Sequence, residues 1–237
     1  MTRLRLPLRR SALIGAMFLA ALAALLPMRL ALSFFDFERG LAARGASGSV
    51  WLGALHDARL GPVPLGDLHA RLNLLPLLVG RARLSLEASG PSGNLEGAVS
   101  ASRHTMGIDD VSGDIRAGPL FGALPIAQLS LDDVSAGFEA GTCTRGEGRV
   151  TALLAGQAAS LAGNGLTGRA RCAGRALLIP LISRTGSESL SFRLFADGRY
   201  RIDLAVRTVD PAMRAGLTTA GFRMAGPAMV LVSVGRF

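Results

Sequence analysis

Residues 192–206 read FRLFADGRYRIDLAV. After the glycine, Tyr200, Ile202, Leu204 and Val206 alternate with Arg199, Arg201 and Asp203. A period of two places the first set on one face of a β-strand and the second on the other, the pattern of a sheet with one face buried. Phe192, Leu194 and their neighbours form a second run, and Asp197-Gly198 lies between the two. That spacing predicts a hairpin with a two-residue type I′ turn, whose central residues both take positive φ.

The same texture recurs upstream. In residues 81–88, RARLSLEA, Ala82, Leu84, Leu86 and Ala88 share one face, opposite Arg81, Arg83, Ser85 and Glu87. Shorter glycine-punctuated segments at 93–102, 110–116, 127–138, 146–154 and 166–172 read as further strands, and residues 228–237 as a closing one. Glycine inside strands marks bulges, bends or close backbone approach. One helix is expected, after Asp210 as N-cap and Pro211 as first residue, ending at Gly221, with Met213 and Leu217 on its buried face. The fold expected is mainly β: an extended, curved antiparallel sheet with one short helix near the C-terminus.

The chain opens with Arg3, Arg5, Arg9 and Arg10, then runs uncharged from 11 to 28 as SALIGAMFLAALAALLPM. As a helix this run spans roughly 27 Å, and continuation to Leu32 adds about 6 Å, which matches a hydrocarbon core near 30 Å. Flanking arginines mark the cytoplasmic end. The division expected is a basic cytoplasmic N-terminus over 1–10, a transmembrane anchor over 11–32 and a periplasmic β-rich domain over 33–237. A cleaved signal peptide starts the same way, but Pro27 and Arg29 interrupt the approach to a cleavage site, and the apolar run exceeds the usual 7–15 residues.

The formal charge of +9 does not indicate a nucleic-acid partner. Five arginines fall within the first 32 residues and no acid does, leaving 21 arginines against 17 acids in the remainder, without a basic run or stripe. The absence of lysine removes Schiff-base chemistry and a Walker-type lysine. Cys143 and Cys172, the only cysteines, are expected to form a disulfide in an oxidising compartment. A metal site lacks partners, since His56, His69 and His104 lie far upstream at irregular spacing. Trp51, the only tryptophan, reads as a core side chain of the first strand, with a partner-binding anchor as the other reading.

Other motifs point to no reaction and no cofactor. Residues 163–168, GNGLTG, match G-x-G-x-x-G, but the following residues alternate as a strand and open no helix. Asp109-Asp110 and Asp132-Asp133 resemble paired carboxylates. Neighbours on a regular strand point to opposite faces, so each pair reads as a turn or the start of a strand.

Several segments, in order, resemble the type II secretion system protein N family (general secretion pathway protein N). They are ASGSVWLG at 46–53, LGDL at 65–68, LLPLLVGR at 74–81, the strands bearing Cys143 and Cys172 with LIPL at 178–181, and DGRY at 197–200. The resemblance covers most of residues 45–221. It implies a non-catalytic, single-pass subunit of the cell inner membrane with its C-terminal domain in the periplasm. Its partners would be other subunits of the machine that exports folded proteins across the outer membrane. The strand texture is also similar, by analogy of fold, to AsmA-like periplasmic proteins, which implies lipid contact along a concave apolar sheet face. An outer-membrane barrel fits poorly, because one Trp and one Tyr make no aromatic girdle.

Overall fold

A computed structural model describes residues 41–49, 51–60, 63–116, 124–155 and 165–236, with Gly15 and Met17. The anchor expected over 11–32 and the basic segment over 1–10 lie outside the described residues, those two apart. Among the described residues no helix is long and apolar enough to cross a membrane.

The described residues form one antiparallel sheet of sixteen strands. Its first half comprises β1 (Leu41–Ala42), β2 (Gly45–Gly48), β3 (Leu52–Leu60), β4 (Val63–Asn73), β5 (Ala82–Gly90), β6 (Gly93–Ala101), β7 (Thr105–Arg116) and β8 (Ile126–Glu139). Its second half comprises β9 (Thr142–Leu154), β10 (Leu166–Arg169), β11 (Arg171–Ala173), β12 (Ala176–Ser183), β13 (Glu188–Phe195), β14 (Arg199–Val206), β15 (Arg223–Ala225) and β16 (Ala228–Arg236). The order is a meander: β1 and β2 both pair β3, each strand from β3 to β9 pairs the next, and β10 is followed by β12, β13, β14, β16 and β15.

Pairing register explains why the sheet holds together. Leu55, Leu68, Ala88, Leu95, Gly113, Leu131, Val150 and Gly168 stand opposite one another in turn across eight strands. Leu181, Leu190, Leu204 and Leu231 continue the row across β12, β13, β14 and β16. Directly opposed side chains are the unit of sheet stabilisation, so this row is an apolar seam, broken only where Gly113 and Gly168 offer no side chain. From β8 onward it belongs to a large core containing Leu166, Leu177, Ile202 and Val206, while Leu55, Ala58, Leu68, Ala70 and Ala88 form a smaller second core. Gly113, which offers no side chain, lies where the seam passes from one to the other.

In four strands a polar doublet supplies an extra residue that the regular alternation does not foresee. The register slips at His56-Asp57 in β3, Asp109-Asp110 in β7, Asp132-Asp133 in β8 and Thr144-Arg145 in β9. Each polar doublet sits between two inward-facing residues: Leu55 and Ala58, Ile108 and Val111, Leu131 and Val134, Cys143 and Gly146. A β-bulge opposes two residues to one. Both members of a doublet therefore stay on the polar side, and the apolar face resumes in phase. Asp109-Asp110 and Asp132-Asp133, expected at turns or strand starts, are mid-strand bulges.

The helix near the C-terminus, here α2 (Pro211–Thr219), starts as expected: Asp210 Oδ1 accepts from the Ala212 N–H at 3.0 Å. It ends at Gly221, with φ 90° and the Phe222 N–H bonded to the Leu217 carbonyl. Leu217, Phe222 and Met213 join the large core. A second helix, α1 (Leu74–Leu78), occupies an apolar segment that alternation left unassigned. The 192–206 hairpin forms, but its turn differs from type I′. Only Gly198 has positive φ (80°), and its N–H bonds the Phe195 carbonyl. Asp197 Oδ1 accepts from the Arg199 N–H at 3.1 Å, a side-chain cap that keeps Asp197 out of the left-handed region.

Two outcomes follow. Leu204, 0% exposed, should lose about 3–4 kcal/mol on substitution by Ala, whereas Val234→Ala at an exposed position of β16 should change the urea midpoint little. The Arg199 N–H, and then its guanidinium, hold the Asp197 carboxyl below the usual 3.8. Its contribution is thus complete above that pH and lost as pH falls below it, through the depressed value. The difference in unfolding midpoint between wild type and Asp197→Asn should shrink on going from pH 7 into that acid range.

Candidate functional site

Polar chemistry concentrates where β7 and β8 bulge against each other. The segments 109–112 and 132–135 both read DDVS and run antiparallel, with Val111 opposite Val134 at their centre. The Asp110 N–H donates to Ser135 Oγ at 2.9 Å, and the Asp133 N–H donates to Ser112 Oγ at 3.0 Å. Each serine thus satisfies the backbone donor that the opposite bulge removes from the ladder. Asp110 and Asp133 take φ of 54° and 57°, a region that Asp tolerates better than most residues. On β9, Gly148 meets the second bulge; a Cβ there would lie 2.5 Å from the Asp133 carbonyl oxygen.

A cleft of about 530 Å³ opens beside this crossing, lined by Asp110, Asp132, Asp133, Glu147 and by Arg145, Arg149 and Arg169. Its charges are largely tied to one another. Arg145 bridges Asp109 at 3.1 Å and Glu147, and its hydrogen bond to Glu147 raises its affinity for the proton further. Arg83 meets Asp110 at 3.1 Å, and Arg149 approaches Asp132 at 3.9 Å. The arrangement braces the bend of three strands. Among the described residues no three His, Cys, Asp or Glu side chains gather as metal ligands. His56 bonds Ser47 and approaches Asp67 at 3.4 Å, and His69 stands opposite Glu87, both away from the cleft. Thr167 and Gly168, from the glycine motif, lie on strand β10.

Cys143 and Cys172 form the expected disulfide, with Cα atoms 5.4 Å apart. Its place in the sheet explains its use. β10 pairs both β9 and β12, but past Ala170 the chain continues as β11, which pairs only β12. The disulfide joins β11 to β9 where the ladder between them has ended. Gly146 permits the approach, since a Cβ there would fall 2.7 Å from the Arg171 carbonyl carbon.

The other distinctive surface is apolar. α1 follows β4 directly, with Pro76 in its first turn, where no N–H is required, and closes at Gly80, φ 74°. Leu74, Leu75, Leu77 and Val79 are 61%, 79%, 37% and 75% exposed. The sheet face beside them is partly open too, with Val99 and Met106 exposed. Trp51 belongs to this end: its carbonyl accepts from the Leu72 N–H at 3.3 Å, and it is half-buried, between the two roles read for it. Arg71, Arg81 and Arg103 rim the patch, exposed and in no ion pair among the described residues. Counting exposed aliphatics in 74–79 could not have located this patch, because LLPLLV reads equally well as a buried strand.

A family model for the type II secretion system (T2SS), protein N, matches residues 39–231, from just before β1 into β16. The chain belongs to this family. No curated protein and no solved structure matches it.

The disulfide closes a loop with a sequence separation of 29. Cys143→Ser should therefore lower stability by about 3 kcal/mol in urea unfolding without reductant. Full alkylation of both thiols in protein trapped from cells without reductant would contradict the pairing. Ser135→Ala, which strips the buried partner from the Asp110 N–H, should cost about 1–2 kcal/mol.

Proposed function

We propose that this protein is a non-catalytic subunit of the type II secretion system that supports export across the outer membrane by binding other subunits. Residues 11–32 hold it in the inner membrane, and residues 33–237 form its periplasmic domain. The observation that carries the reading is the extent of the family match, which takes in almost the whole sheet as one unit. The arginine-rich start before an uncharged run and the Cys143–Cys172 disulfide support an exported domain. The ion pairs that tie Arg83, Arg145 and Arg149 to acids at the cleft support a scaffold rather than a reacting site.

The AsmA-like alternative requires an open apolar groove along the sheet. In the larger core that face is filled by its own side chains: Ala152, Leu166 and Leu204 are 0% exposed. Exposed apolar side chains fall in separate places, at the α1 end and again at Val209, Met224 and Val234, which favours local docking patches over a continuous lipid path.

Deleting 33–237 while keeping 1–32 should abolish or sharply reduce secretion by the type II pathway. His56→Ala, His69→Ala, His104→Ala, and Asp→Asn at 109, 110, 132 and 133, each made singly, should leave output nearly intact. Complete loss from one of these, with abundance and folding preserved, would reveal an active site. Loss of outer-membrane integrity with normal secretion would support the lipid reading.

A further inference from the structure

The α1 end of the sheet combines three features. Its aliphatic side chains protrude: a Cβ at Gly80 would meet nothing within 4 Å, and Leu74, Leu75 and Val79 are mostly exposed. At 100° per residue, Leu74, Leu75 and Leu77 spread over about 160° of the helix circumference, wider than the stripe of roughly 100° that a helix lays on a protein surface. Arginines stand at the borders of the apolar stretch, Arg71 before it and Arg81 after it. Arg103 lies on the neighbouring β6–β7 turn, at the same end because Ala82 pairs Ala101 and Ala101 pairs Met106. An apolar tip ringed by long cationic side chains suits the boundary between acyl chains and anionic headgroups, where arginines reach outward to phosphate.

We propose that the α1 end rests on the anionic phospholipid surface of the membrane that carries residues 11–32. The identity of that membrane rests on the anchor reading above; the contact itself rests on α1. Chain length permits it. β1 enters the sheet with Leu41 opposite Leu60, and the chain then runs through β2 to Gly48, opposite Gly53, before turning at Trp51. The α1 end is thus one length of β3 from the point of entry, about 26 Å for Leu52 to Leu60. Residues 33–40, fully extended, reach about 27 Å. The chain can leave the bilayer, travel the length of the sheet and return with Trp51 and α1 at the surface. Interfacial positions favour tryptophan, whose ring is apolar and whose N–H is polar.

The test uses the full chain in vesicles of phosphatidylglycerol and phosphatidylethanolamine, with Trp51→Phe as background so that one indole reports. Leu75→Trp places it on α1. Leu153→Trp places it at a 38% exposed position near the far end of β9. Both sites are exposed, so neither needs a cavity, and Val79→Trp serves if Leu75→Trp misfolds. Bromine on the acyl chains should cut the emission of the α1 indole at least about twofold and leave the Leu153→Trp emission unchanged. In vesicles of phosphatidylcholine alone the α1 quenching should weaken. Quenching at α1 no greater than at position 153 overturns the proposal, and equal quenching with and without anionic lipid overturns its anionic character. No quenching alongside secretion that still requires 33–237 would leave the subunit reading standing and give this surface to a protein.

Discussion

Cross-strand register is the constraint on which the structure depends. Side chains alternate with a period of two, so a slip of one residue in any strand would send its apolar set to the solvent side. Here one seam from Leu55 to Leu231 must stay in phase through twelve strands. The polar doublets in β3, β7, β8 and β9 break the alternation, and at each the chain bulges instead of slipping. Bulging is favoured because the alternative inverts the rest of the strand, exposing residues such as Val134 and Phe138 and burying charge. The DDVS pair lowers the cost further, since each bulge's orphaned N–H finds the serine of the other.

Much of this was legible in the sequence. Alternation located the strand faces, Asp210 with Pro211 located the start of α2, and the absence of any other cysteine, with the expectation of export, paired Cys143 with Cys172. Local rules sufficed there because each signal concerns residues near in sequence or without competitors. The bulges were missed because adjacent acids were judged against a regular strand, in which they would face opposite ways. The signal was present: Ile108-Asp-Asp-Val111 and Leu131-Asp-Asp-Val134 read apolar, polar, polar, apolar within otherwise alternating runs. The turn at Asp197 departs from type I′ because its carboxylate caps the Arg199 N–H, an interaction the dipeptide signal does not distinguish. α1 was illegible for a different reason, since whether LLPLLV is buried or exposed depends on what the rest of the sheet leaves uncovered.

The division of surfaces gives the functional account its shape. The polar face is braced by short-range ion pairs around the β7–β8 crossing, and the disulfide holds β11 against β9 beyond the end of their shared ladder. Exposed pairs of this kind each contribute little to stability. Their geometric role is to link β5, β7, β8 and β9 across the polar face. At the α1 end aliphatic side chains are exposed together with arginines that form no ion pair among the described residues. The family match covers the sheet, the polar face carries ion pairs between strands, and the α1 end is apolar; these are the features on which the proposed subunit role rests.

The central claim is that doublets preserve one apolar face, and single-residue deletions in β8 test it most directly. Removing Asp133 leaves Leu131-Asp132-Val134, a regular alternation on the same faces, while removing Ser130 makes Leu129 and Leu131 neighbours and inverts one flank of the strand. Urea unfolding should show a cooperative transition at reduced stability, with the disulfide formed, for the first deletion and no cooperative transition for the second. Equal stability of the two variants would contradict the account.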